Sequence, residues 1–305
     1  MTDKATNSKV VVGIDGSAGS LPALAWALRQ AEGGRREVVA VYAWQVPALA
    51  YSAPGYIPPE KESLDVEGKR ILAEALKALG VDAESAAVSL SVGNGLAADV
   101  IADVCEEAGA EMAVGGSRGH GRIAEILLGS TSRSLLQKSK VPLVIVPAGG
   151  DSPGDGRIVV GVDGSVGSKL ALEWAITEAS TVGGNVEAVM VIPAPSPDLP
   201  PQLPEPLRNR AGEDSTAAGQ LAKLVDSAVS VAPSVSGKVI ETVLHGNPAH
   251  TLRLHANGAD MLVVGRRGLG SIHEAFSGSV SSWCSHHTNR PVVIVPTRVE
   301  SKTEK

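Results

Sequence analysis

Blocks of apolar residues along the first half of the chain have the lengths and spacings of strands and helices in turn. Residues 9–14 form a continuous apolar run of strand length, and after Asp15, Gly16 and Ser17 apolar residues recur at helical spacing between Leu21 and Leu28. The same alternation predicts strands at 37–44, 86–92, 112–115 and 141–146, and helices at 66–79, 97–107 and 131–138. Strands without a polar face that alternate with helices predict a parallel sheet covered on both sides.

The pattern then repeats. Residues 11–31, VVGIDGSAGSLPALAWALRQA, return in register as residues 159–179, VVGVDGSVGSKLALEWAITEA, so Asp15 and Asp163 match at a separation of 148 positions. A duplicated domain explains such a match. We predict a first domain at residues 1–148, a Gly/Pro/Ser/Asp-rich linker at 149–156 and a second domain at 157–299. The expected fold class is α/β, with two tandem doubly wound parallel five-stranded sheets of the Rossmann-like type.

One length differs between the copies. Gly93 and Glu111 are 18 positions apart, whereas the matching Gly246 and Asp260 are 14 apart. The difference of four residues is close to one helical turn, so the third helix of the first copy should be longer by that amount.

Composition and charge exclude some classes of partner. The chain is 43% hydrophobic and 20% charged, a balance typical of soluble globular proteins, and its net charge of -6 comes without any basic run. We therefore expect no nucleic-acid partner. No apolar stretch approaches 18 residues, so we also expect no membrane partner and a cytoplasmic location. The two cysteines lie in unrelated contexts, and no disulfide is expected.

Candidate ligand-binding residues follow the first and fourth strands. In doubly wound sheets ligands bind at the carboxyl ends of the strands, which is where Asp15 and Asp163 fall. After the fourth strand both copies fit G-x2-G-x9-G-S. The pattern comprises Gly116, Ser117, Arg118, Gly119, Gly129 and Ser130, followed by Thr131, in the first copy, and Gly265, Arg266, Arg267, Gly268, Gly278 and Ser279, followed by Val280, in the second.

Glycines without a Cβ let backbone amides approach a polyphosphate, and the helix that Gly-Ser opens adds unpaired amides and a positive dipole end. The hydroxyl groups of Ser130, Thr131 and Ser279 could be offered beside them. Two structural interpretations compete with phosphate binding: the glycines could mark a simple turn, and the aspartates could be helix caps. Because both copies keep the same spacing after the same strand, phosphate binding is favoured.

The glycine pattern, the aspartate after the first strand and the order of elements together resemble the universal stress protein family over nearly the whole chain. The resemblance implies that each copy binds ATP, two per chain, and leaves open whether Mg²⁺ accompanies the phosphates. It places Gly13, Asp15 and Val41 at the adenosine side of the first site, and Gly161, Asp163 and Val189 at that of the second. It also implies pairing of the fifth strands, so we expect an intramolecular pseudo-dimer and leave homodimerisation open.

Departures from the pattern are few. The second copy has Val264 at the position equivalent to Gly115 and Val280 at the position equivalent to Thr131, so we expect two sites of unequal affinity. No G-x4-G-K-[ST] motif occurs, and rapid hydrolysis is not expected. The paired histidines His250/His255 and His286/His287 are better explained as surface or capping residues than as metal ligands.

Three hypotheses for function follow. The first is a nucleotide-dependent regulator in stress or growth arrest, acting on an unidentified protein partner. The second is a slow ATPase or a phosphotransferase, for which the sequence offers a phosphate cradle but no evident general base. The third is a scaffold whose pockets bind nothing.

Overall fold

The chain divides into two compact units, Met1–Ser152 and Pro153–Lys305, and the division falls inside the segment predicted as a linker. In this computed structural model the residues described are 8–46, 57, 59–82, 88–117, 129–150, 152–193, 210–231, 238–266 and 279–297, without the side chains of 210–214 and Ser279. None of the helices in these ranges combines the length and the hydrophobicity that a bilayer span requires.

The first domain is a parallel sheet wound in both directions. Its elements are β1 (Ser8–Gly13), α1 (Leu21–Ala31), β2 (Arg36–Trp44), α2 (Lys61–Ala78), β3 (Val88–Asn94), α3 (Ala97–Ala108), β4 (Ala110–Gly116), α4 (Ser130–Lys138) and β5 (Leu143–Val146). The strand order is β3-β2-β1-β4-β5, and the pairs are parallel. Every element predicted for this domain is present. The largest difference is at the start of α2, which begins at Lys61 and not at 66. The first turn of this helix is polar and exposed, so it shows no apolar periodicity from which its start could be predicted.

The second domain repeats this architecture. Its elements are β6 (Arg157–Gly161), α5 (Val166–Val182), β7 (Asn185–Ile192), α6 (Arg210–Val231), β8 (Val239–His245), α7 (Pro248–His255), β9 (Met261–Gly265), α8 (Ser279–His287) and β10 (Val292–Val295). The strand order β8-β7-β6-β9-β10 is equivalent to that of the first domain, again with parallel pairs. The predicted fold class is confirmed for both domains.

Central strands account for the continuous apolar runs in the sequence. Val10, Val11 and Val12 of β1 are fully buried, as are Ile158 and Val159 of β6. A strand covered by helices on both faces has no solvent-facing side, so no alternate position can be polar.

The third helix differs between the domains as predicted. Helix α3 has 12 residues and α7 has 8, a difference of four. The count of residues between Gly93 and Glu111 is therefore sufficient to predict the extra turn.

The first helix starts at different points in the two domains. Helix α5 begins at Val166, which matches Ala18, whereas α1 begins only at Leu21. A helix starting at Ala18 would place Pro22 in its interior, where the ring would clash with the Ala18 carbonyl and no amide could bond it. Because α1 begins at Leu21, Pro22 instead falls in the first turn, where proline is tolerated.

Candidate functional site

The winding direction of each sheet changes at one point, and in open α/β sheets this switch point is where the ligand crevice lies. In the first domain this point lies between β1 and β4, which pair directly, and in the second between β6 and β9. Asp15 follows the end of β1 by two residues, and Gly116 ends β4. The structure therefore places the aspartate and the first glycine of the pattern at adjacent strand ends, where open α/β sheets bind ligands.

The two aspartates organise the turn after the first strand. Asp15 Oδ1 accepts hydrogen bonds from the Ser17 amide at 2.9 Å and the Ser17 hydroxyl at 2.6 Å, and Asp163 Oδ1 accepts from the Ser165 amide at 3.0 Å. The residues at the N-caps are Ser20 and Ser165. The helix-cap interpretation of the aspartates is therefore wrong, because each carboxylate closes an Asx-type turn ahead of its helix.

The serines of this turn have structural roles. Ser17 donates to Asp15, and Ser165 Oγ accepts from the Ser168 amide at 3.1 Å as the cap of α5. Asp15 is half-buried and Asp163 is exposed, so the two carboxylates differ in access to solvent.

The first half of the glycine pattern continues the sheet by one residue. The amides of Ser117 and Arg266 each donate at 2.9 Å to the carbonyl of the last residue of the neighbouring strand, Val146 and Val295. Residues 118–128 and 267–278 are not among the described residues. The predictions made for Arg118, Gly119, Arg267, Gly268 and Gly278 concern residues in these two segments.

The second half of the pattern opens a helix, as predicted. Gly129 is the N-cap of α4, which begins at Ser130 and has no side-chain cap, and α8 begins at Ser279. The first bond within α4 runs from the Arg133 amide to the Gly129 carbonyl at 3.0 Å. The amides of Ser130 and Thr131 precede this bond and are not used within the helix.

Two serines that the sequence did not single out join the halves of the pattern. Ser132 Oγ donates to the Gly116 carbonyl at 3.2 Å, and Ser281 Oγ donates to the Arg266 carbonyl at 3.3 Å. Both serines are buried, and they match at a separation of 149 positions. Their recurrence two residues after each Gly-Ser step was the signal available in the sequence. The start of each helix is thus tied to the end of the fourth strand.

Gly13 and Gly161 have a packing role that sequence reasoning missed. A Cβ on Gly13 would lie 2.6 Å from Ile101 Cδ1, and one on Gly161 would lie 2.8 Å from Leu252 Cδ1. The missing side chain lets the third helix of each domain approach the first strand. Contact of either glycine with a ligand stays a prediction.

Val41 and Val189 are already engaged in the sheet. Their carbonyls accept the amides of Ile14 at 2.8 Å and Val162 at 2.9 Å. Backbone groups two residues apart point to the same side of a strand, so the amide and carbonyl of Ala43 face the crevice just beyond the end of β1. Val191 holds the matching position in β7. Contact of Val41 or Val189 with a base stays a prediction, but Ala43 and Val191 are better placed for it.

Gly265 tolerates no side chain. Its Cβ would lie 2.5 Å from the backbone carbon of Gly167 and 2.9 Å from the Ser168 amide nitrogen, in the first turn of α5. We expect Gly265→Ala to lower the free energy of unfolding of the second domain by about 2 kcal/mol, because backbone cannot yield as a side chain can. Denaturant unfolding measures this change. Gly129→Ala is the control, since its φ is -54° and no described heavy atom lies within 4 Å of the new Cβ. Equal stabilities of the two variants would contradict this assignment.

A second polar cluster lies away from the crevice, around Glu187 in β7. The Glu187 side chain is only 10% exposed and lies 2.8 Å from Arg157 Nη1 and 2.8 Å from His255 Nε2, while Thr242 Oγ1 donates to it at 2.7 Å. Burial by itself would raise the pKa of Glu187, but the three hydrogen bonds outweigh burial and hold the pKa below its ordinary value. His255, which is itself partly exposed, is therefore the partner of a buried carboxylate, a role that its interpretation as a surface or capping residue did not include.

His287 lies on the surface, as expected for the remaining histidines. Its ring stacks on Trp283 with centroids 4.1 Å apart, and its Nδ1 lies 2.8 Å from the Trp283 carbonyl. Among the residues that the structure describes, no three His, Cys, Asp or Glu side chains form a group that could hold a metal ion. Cys105 and Cys284 are both free and buried.

Fold and crevice together define a class: tandem doubly wound α/β domains, each with a glycine-marked crevice at the switch point of the sheet. The model of the universal stress protein family matches residues 6–147 and 156–296. The chain belongs to the universal stress protein family, with one family domain in each half.

Relatives of similar length support this assignment. A universal stress protein of Mycolicibacterium smegmatis is 30% identical over 302 residues, covering 98% of this chain and all of the relative, and one of Mycobacterium tuberculosis is 31% identical, covering 93% and 96%. A universal stress protein from Archaeoglobus fulgidus has the same fold, with a TM-score of 0.61 at 20% identity, covering 95% of this chain and 98% of that one.

Proposed function

We propose that this protein is a nucleotide-dependent regulator that binds one ATP in each domain. The observation that carries the proposal is the junction of the two halves of the glycine pattern, where Ser132 holds the start of α4 against the end of β4 at Gly116. At this junction the amides of Ser130 and Thr131 are not used within the helix and lie at its positive dipole end. Such a helix start beside a glycine-rich segment favours a phosphate group, and the triphosphate of ATP supplies one.

The nucleoside would occupy the other side of the crevice. Asp15 is fixed by Ser17 and presents a carboxylate that can accept a ribose hydroxyl. The backbone of Ala43, just beyond the end of β1, can pair with the edge of a base. Phosphate and nucleoside contacts thus come from the ends of different strands, which is typical of nucleotide sites in open α/β sheets.

We propose that site one binds nucleotide more tightly than site two. Thr131 offers a hydroxyl beside the start of α4, where α8 has Val280. Asp15 is half-buried while Asp163 is exposed, and a hydrogen bond to a carboxylate is stronger where water is partly excluded.

Regulation is favoured over catalysis because the chain lacks the P-loop lysine that contacts the β- and γ-phosphates in P-loop ATPases. Bound ATP would instead stabilise one conformation of each domain and thereby alter the surface that a protein partner contacts. Release of phosphate at saturating ATP separates the alternatives. Turnover above about 1 s⁻¹ would favour the enzyme, since enzymes commonly work at that rate or faster.

The number of nucleotides retained per chain tests the proposal. Native mass spectrometry of protein incubated with ATP should show two nucleotides per chain, and Gly129→Ala should reduce this to one, because the new methyl group would lie where the phosphates reach the start of α4. Gly219→Ala is the matched control, a glycine in α6 with no described heavy atom within 4 Å of the new Cβ, and should retain two. Two nucleotides in Gly129→Ala would refute the position of the site, and none in the wild type would refute the proposal.

A further inference from the structure

Trp44 of the first domain is not among the candidate ligand-binding residues predicted from the sequence. β1 ends at Gly13, which pairs with Val41, whereas β2 continues for three more residues to Trp44. Those last residues pair with β3 on their other side, where Trp44 lies opposite Asn94. The end of β2 therefore extends beyond the end of β1 at the carboxyl edge of the sheet, and Trp44 is its last residue.

The indole of Trp44 is held at its polar end and partly open to solvent. Its Nε1–H donates to Asp65 Oδ1 of α2 at 2.8 Å. The ring is only partly exposed, so one portion packs against the domain while another remains accessible. A single hydrogen bond to a side chain on a neighbouring helix thus fixes the orientation of a large flat apolar surface.

Helix α2 also borders the turn that carries Asp15. A Cβ on Gly16 would lie 3.1 Å from Ile71 Cγ2, so this turn lies against α2 near Ile71. Asp65 and Ile71 are six residues apart, which is about 9 Å along the helix axis. The same helix therefore bonds the indole through Asp65 and contacts, near Ile71, the turn that holds Asp15.

We propose that Trp44 is a stacking surface for the flat heteroaromatic base of a purine nucleotide in site one. The proposal rests on the proposed function, since it names the part of the nucleotide that Trp44 would bind. Indole is the largest aromatic surface a protein offers, and stacking of a base on it does not depend on hydrogen-bond pattern.

The second domain lacks this surface. Ile192 holds the matching position at the end of β7 and has no aromatic face. Site one therefore selects its ligand by base as well as by phosphate, whereas site two depends on the phosphates and on backbone contacts. The two sites of one chain consequently differ in how much of their affinity comes from the base.

Equilibrium binding of two probes to the full chain tests the proposal. ATP carries a base, and inorganic tripolyphosphate carries only the phosphates. Trp44→Leu should weaken ATP binding at one of the two sites by about 10-fold, which corresponds to the loss of one stacked base, and should leave tripolyphosphate binding unchanged. Trp44→Phe keeps a ring and should stay within about threefold of the wild type. Ile192→Leu is the matched control in the second domain and should change neither probe.

Two results would overturn the stacking surface while leaving the proposed function intact. One is an ATP affinity within twofold of the wild type at both sites of Trp44→Leu. The other is an equal loss for ATP and tripolyphosphate, which would mean that Trp44 and Asp65 merely tie α2 to the sheet. Wild-type protein that binds neither probe would instead overturn the proposed function and the stacking surface together.

Discussion

Saturating ATP is expected to raise the free energy of unfolding of each domain by about 4 kcal/mol when its free concentration is 1,000 times the dissociation constant. The reason is mass action: the crevice exists only in the folded domain, where β1, β4 and the start of α4 come together. Thermal unfolding across an ATP titration measures the effect. The midpoint should keep rising with concentration after the sites are filled, because ligand continues to favour the folded state.

A variant separates this effect from unspecific stabilisation by a polyanion. In Gly129→Ala the first domain should lose most of its response to ATP while the second keeps its own, because the substituted residue is the N-cap of α4. Without ATP the variant should lie within about 1 kcal/mol of the wild type, the usual range for a change at an N-cap. Equal responses of variant and wild type would exclude the start of α4 as the phosphate site.

Removing Glu187 should destabilise the second domain by about 2 kcal/mol at pH 7. Glu187→Ala removes the buried partner of Arg157 and His255, while Arg157 keeps Asp155 at 2.9 Å, so the loss is that of hydrogen bonds to a charged group. Denaturant unfolding of the full chain measures the loss. Glu241→Ala is the matched control, because this carboxylate of β8 is exposed and its removal should cost less than about 0.5 kcal/mol.

Acidic pH should reduce the contribution of Glu187. Its pKa in the folded protein is lowered, so the folded state favours the ionised form, and the resulting stability is present above about pH 4.5 and is lost as pH falls through the lowered value. The difference between wild type and Glu187→Ala should therefore shrink on acidification towards pH 3. A difference that does not depend on pH between 7 and 3 would mean that Glu187 contributes through packing alone.

Sequence reasoning identified the crevice better than the contacts within it. The position of Asp15 after β1 and the opening of α4 at Ser130 both follow from local patterns, and both are confirmed. The choice of Val41 as a base contact came from the resemblance, whereas the ladder shows its carbonyl bonded to Ile14. Which backbone groups remain available depends on where the neighbouring strand ends, and that is a property of two segments together.

Pairing of the fifth strands, binding of a second nucleotide and the existence of a protein partner stay predictions.

The late start of α1, by contrast, could be predicted from the sequence. Pro22 stands where the second copy has Leu170, and a proline at the fifth position of a helix forces a later start. Comparing the two copies residue by residue around each proline would have found it.

What the sequence determined by itself is the kind and order of the elements, the duplication and the extra turn of α3, because each depends on spacing within one short segment. Only the tertiary structure decided which distant side chains meet. Glu187 contacts Thr242 and His255, which are 55 and 68 positions further along the chain, and Trp44 contacts Asp65, 21 positions away. Such partners are set by the register of strands and the packing of helices on the sheet, and no periodicity within a single segment encodes them.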